Sequence, residues 1–165
     1  MTEEELQSQD ELIAYHLHDA GWAEMRLSAA PERLGFAVSY LHDSLGDLAR
    51  MGLALQKGAG RAEAVFMDEP GEAILVVSGA GNTLQYELRQ YRDWASWGIV
   101  ALEAHEVVAR GEIGRAGLVG NIHAILRRIH DDVGPQRYRE MWVEHDFPLQ
   151  DYERLSIALH KRAMT

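Results

Sequence analysis

Two hydrophobic periods alternate along the chain, and the switches between them outline a fold. Residues 11–18, ELIAYHLH, repeat every second position. Ile13, Tyr15 and Leu17 fall on one face, and Leu12, Ala14, His16 and His18 on the other. Asp19-Ala20-Gly21 makes a tight turn, with Gly free to take a positive φ. Alternation resumes over residues 22–28, where Ala23, Met25 and Leu27 oppose Glu24, Arg26 and Ser28. After a loop around Pro31, LGFAVSYL gives a third strand. The three strands read as an antiparallel meander.

The period then lengthens to that of a helix. Asp43 or Ser44 can cap its start, and Asp47 in the first turn meets the positive end of the helix dipole. Leu45, Leu48, Met51, Gly52 and Leu55 form one stripe, and Gly58-Ala59-Gly60 stops the helix. Two strands follow, RAEAVFM and AILVVS, around a turn at residues 68–72 whose Pro pre-sets φ. The turn SGAGNT leads into LQYELRQY, in which Leu84, Tyr86 and Leu88 oppose Gln85, Glu87 and Arg89. Residues 99–109 fit a strand or a helix. Over residues 116–131 a helix is expected with Leu118, Ile122, Ile125, Leu126 and Ile129 on one face. Pro135 opens a short helix over residues 136–145. Beyond Phe147-Pro148, a last helix turns Leu149, Tyr152, Leu155 and Leu159 inward. The expected fold is α+β: an antiparallel sheet of about six strands, ordered β-β-β-α-β-β-β and then helices, with the helices packed on one face. Residues 11–165 are expected to form a single domain, preceded by a mobile acidic segment over residues 1–10.

Composition narrows the chemistry. A chain of 165 residues can bury a core without a disulfide or metal. The absence of Cys removes disulfides, Cys-ligated zinc, iron–sulfur clusters and thiol catalysis. No apolar run approaches the ~20 residues that span a bilayer, and MTEEELQSQDE is the opposite of a secretory signal. The expected location is the cytoplasm. No cofactor is indicated.

Charge sharpens the picture by its position. The net charge is −10, and residues 1–25 hold seven acids with no Lys or Arg. Such a stretch repels nucleic acid and anionic membranes and attracts a basic protein partner. Glu11, Asp19 and Glu24 in that stretch are candidate partner contacts, together with Trp94 and Trp97 of YRDWASWG. The alternatives are solvated acids that aid solubility and rings that seal one end of the core.

His16 and His18 form His-x-His on a strand, which puts both imidazoles on one face as a metal site requires. The alternative is a pair of exposed or half-buried histidines. His-Asp dipeptides occur at residues 18, 42, 130 and 145, mostly at element ends, without the all-helical setting of metal-dependent phosphohydrolases. His123 and His130 share a helix flank, a boundary between core and solvent. Gly79-Ala80-Gly81 is no dinucleotide loop, because Leu84 stands at the third glycine position and a strand follows. No Ser sits in a nucleophile elbow. Glu69/Glu72 and Glu103/Glu106 read as solvated surface acids. Residues 110–139 carry six Arg, but no aromatic-basic signature of an RNA-binding face accompanies them.

SYLHDSLGDLARM, running from strand into capped helix, VFMDEPGEA and FPLQDYERL together resemble segments of small uncharacterised acidic bacterial cytosolic proteins, toxin-immunity-like in general character. The likeness covers about half the chain, includes no catalytic motif and carries over no site residue. Three functional expectations stand. The first is a protein-binding or inhibitory module that captures a basic partner. The second is a small metal-binding protein or enzyme using His16 and His18. The third is a homo-oligomeric structural module whose sheet edge pairs with its copy.

Overall fold

The structure is a computed structural model that describes residues 11–29 and 32–164. The segment at residues 1–10, expected to be mobile, and the loop at Pro31 lie outside the described residues. Strands β1 (Ile13–Leu17), β2 (Trp22–Ala29) and β3 (Glu32–Ser39) form an antiparallel sheet in that order. The β1–β2 turn needs two left-handed residues, and Ala20 and Gly21 take φ of 61° and 79°. A Cβ on Gly21 would come within 2.6 Å of the Tyr40 ring, so the turn also needs Gly for space.

Helix α1 (Ser44–Gln56) starts where the Asp43 carboxylate accepts the Gly46 N–H at 3.0 Å. Its residues are buried nearly all round. Gly52 lies where a Cβ would meet Leu155 at 3.0 Å and Ile122 at 3.1 Å, so its missing side chain lets two later helices close on α1. Strands β4 (Arg61–Met67), β5 (Glu72–Ser78), β6 (Thr83–Tyr91) and β7 (Glu106–Gly114) form a second antiparallel sheet in chain order.

The expected single sheet of about six strands is therefore two sheets, of three and four strands. The first turn of α1 shows why. Ser44 Oγ donates to the Val65 carbonyl at 2.6 Å, and the Val65 N–H donates to Asp47 Oδ2 at 2.9 Å. Those β4 groups are the ones a neighbouring strand would need. Burial alone would raise the Asp47 pKa, but bonds from His42, from the Val65 N–H and from Arg50 outweigh it and hold the carboxyl below its usual range.

The undecided stretch at residues 99–109 resolves into turns as far as His105 and strand from Glu106. Helix α2 (Arg115–Asp132) follows β7 without a loop. The short helix α3 (Pro135–Trp142) ends three residues before the expected limit. Val143 there takes φ 69°, ψ −61°, and the Glu144 N–H bonds the Trp142 carbonyl at 2.8 Å, which makes a strained γ-turn. Helix α4 (Leu149–Ala163) completes the chain.

The helices do not line one face of one sheet, as expected. Helix α1 packs on β4, α2 packs on α1 and reaches both β1 and β7, and α4 packs on α1 and α2. One core therefore joins both sheets, with Trp142, Tyr138, Phe66, Met25 and Leu48 fully buried in it. Two polar side chains tie the parts together. Asn121 of α2 accepts the Ile13 N–H and donates to the Ile13 carbonyl, both at 2.9 Å, in place of a strand beside β1. The Arg115 guanidinium donates to the carbonyls of Leu55, Ala59, Gly79 and Gly81 at 2.7–3.2 Å. No helix among the described residues is long and apolar enough to cross a membrane.

Candidate functional site

Strand β5 is apolar at successive positions, as a strand buried on both faces must be. Ala73, Leu75 and Val77 enter the main core. Ile74 and Val76 point to the opposite face, where they join Tyr91 and Ala95 in a second, smaller cluster. Residues 92–105 cover that cluster. They run from the end of β6, through a single 3-10 turn at Ala95–Trp97, and back to β7.

Three anchors hold this covering segment. Glu72 is 3% exposed, and its carboxylate accepts the Ser96 N–H at 3.0 Å and the Ser96 hydroxyl. Trp94 Nε1 donates to the Asp68 carbonyl at 2.7 Å. The Tyr91 hydroxyl, its pKa raised by burial, donates to the Leu102 carbonyl at 2.6 Å. The expectation that Glu69 and Glu72 are both surface acids fails at Glu72. The sequence gives no cue to its partner, which lies 24 residues away.

The outer surface of the segment carries large apolar side chains. Trp97, Ile99 and Leu102 are 50%, 59% and 59% exposed. Trp97 packs edge-on against Trp94 with ring centroids 4.8 Å apart. The expectation that these rings either seal the core or face a partner divides between them. Trp94 is half-buried over the outer sheet face, and Trp97 faces outward. Asp93 and Glu103 lie on the same segment with Arg92; Asp68 and Glu69 lie on the β4–β5 turn to which it is bonded, and Glu106 at the start of β7. The segment and the elements joined to it thus carry exposed apolar side chains together with mainly acidic charge.

The other candidates fall elsewhere. His16 and His18 share the exposed face of the first sheet, with Glu24 opposite His16 in the register. His18 Nε2 is 3.8 Å from Glu24 Oε2. Arg26 bonds the Glu24 carboxylate at 2.6 Å and holds its pKa below the usual range against the opposing effect of burial. The guanidinium thus engages Glu24 Oε1, the carboxylate oxygen turned away from the His18 contact at Oε2. Among the described residues, no three His, Asp or Glu side chains converge to hold a metal ion.

Asp19 is exposed in the β1–β2 turn, and Glu11 lines a cleft of about 510 Å³ at the end of β7, beside Ser28 and Glu112. No hydrogen bond or ion pair among the described residues joins Glu11, Asp19 or Glu24 to Trp94 or Trp97. His123 and His130 lie at the core boundary as expected, both facing Tyr152 of α4 at ring distances of 5.5 and 5.0 Å. In the core, the Tyr15 and Tyr138 hydroxyls are buried without a hydrogen-bond partner among the described residues, and burial raises both pKa values.

Ile99 and Leu102 are exposed apolar residues that the sequence reading does not single out. Their stretch fits a strand or a helix by periodicity, and in either such side chains pack inward. Comparison with protein-family models, with curated proteins and with solved structures found no match to the chain.

Proposed function

We propose that the chain is a protein-binding module of inhibitory, immunity-like character, whose contact surface is the covering segment at residues 92–105. One observation carries this reading: Trp97, Ile99 and Leu102 are each exposed on one short segment that polar anchors hold in place. Large apolar side chains shown side by side mark contact surfaces, and Trp is enriched among the residues that dominate binding. A surface fixed before binding loses less conformational freedom on association. The acidic residues on the segment and beside it support a partner rich in Lys and Arg, because opposite charge steers encounter and repels acidic competitors.

The test compares the native chain with an Ile99→Glu/Leu102→Glu variant as bait in lysate at low and high salt. The expected result is a basic protein held by the native chain, lost in the variant and weakened by salt. Capture of the same proteins by both baits would refute the reading. The variant should keep the native circular dichroism spectrum, because both positions are exposed.

A further inference from the structure

The two sheets leave four outer strands, β1, β3, β4 and β7. Asn121 occupies the β1 backbone at Ile13, Ser44 and Asp47 occupy β4 at Val65, and β3 packs beside β4. Strand β7 differs. None of its nine residues is buried. Among the described residues, no hydrogen bond from outside its own sheet reaches the backbone of residues 107–113. An open strand edge is a template for another strand.

The sequence of β7 is complementary to itself. In an antiparallel pairing about a two-fold axis at Gly111, Arg110 faces the partner's Glu112, and Glu112 faces the partner's Arg110. Both side chains lie on the outer sheet face, opposite Glu87 and Gln85 of β6. On the inner face Ala109 meets the partner's Ile113, again twice. Moving the axis to Arg110 sets Arg110 against the partner's Arg110. Moving it to Glu112 sets Glu112 against the partner's Glu112. Only the central register of the three avoids like charges in direct opposition. Arg110 makes no salt bridge among the described residues, although its charge helps to lower the Glu87 pKa after the larger effect of Arg89. Gly111 brings no side chain to the axis, and a Cβ there would stand 2.7 Å from the Tyr86 hydroxyl.

We infer that two copies of the chain join by antiparallel pairing of β7 over residues 109–113, centred on Gly111, to make one continuous eight-stranded sheet. This interface uses different residues from the covering segment, so failure of either proposal leaves the other standing.

Light scattering of the full chain over a wide concentration range tests it. A concentration-dependent dimer is expected. Arg110→Glu and Glu112→Arg each put like charges together at two places and should weaken dimerisation about tenfold or more. The double variant R110E/E112R restores opposite pairs and should return to within about threefold of the native value. Its recovery also shows that the single variants did not simply misfold. A single-chain mass at every concentration would overturn the inference, as would a dimer unchanged by either reversal. So would a dimer that forms only after residues 2–10 are deleted, since that segment would then hold the edge.

Discussion

Asn121 shows how one side chain can stand in for a strand. Its amide matches the donor and acceptor of the Ile13 backbone, and it is 6% exposed. Asn121→Ala leaves two buried backbone groups without partners, at a cost of about 2–4 kcal/mol. Urea unfolding measures that loss as a lower midpoint with an unchanged slope. His123 supplies a second prediction at this scale. Burial, and then the charge of Arg127, lower its pKa below the ordinary histidine value. The folded state therefore favours the neutral ring. The stability that this brings is fully present above the ordinary value of about 6.5, and it is lost as the pH falls through the lower folded-state pKa. His123→Gln retains a polar group near Ser156, the ring's partner at 2.9 Å. The variant should lose less stability than the native chain between about pH 7 and about pH 5, as thermal melts across that range would show.

The elements divide into those written locally and those set by distant partners. Strands β1, β2 and β6 follow their alternation, and α1 starts at the Asp43 cap that its sequence announces. Local periodicity determines these, so they were legible. The break into two sheets was not. Asp47 reads as a favourable charge in a first helical turn, and nothing local says that its carboxylate bonds Val65, 18 residues on. The covering segment was illegible for the same reason: Glu72 and Tyr91 hold it from other strands. Of the candidate site, sequence named Trp94 and Trp97 but not the fold that separates their roles. Tyr91→Phe removes the bond to Leu102 and should cost about 1 kcal/mol. Hydrogen exchange would locate the effect, with faster exchange at residues 94–104 and unchanged protection in β5 and α1.

Across the whole molecule, Arg115 joins what the chain separates. It links the end of α1, the approach to β4, the β5–β6 turn and the start of α2 through carbonyl oxygens alone. A planar guanidinium presents five donors in a fixed fork, whereas a Lys ammonium is a point charge with a shorter reach. Arg115→Lys should cost about 2–3 kcal/mol, read from chemical unfolding, because it strands some of those carbonyls. One core shared by both sheets also predicts a single unfolding transition, seen alike by circular dichroism and by the signal of buried Trp142.

The pairing of Trp94 with Trp97 gives the molecule an optical label of its own. Indole emission moves to longer wavelength in water, and Trp97 is half in water while Trp142 is fully enclosed. Anything that settles on residues 92–105 must dry Trp97 and shift the emission toward the blue. Trp97→Phe removes that component and leaves the signals of Trp22, Trp94 and Trp142. Occupancy of the segment can therefore be followed by light alone, without a dye and before the partner is identified.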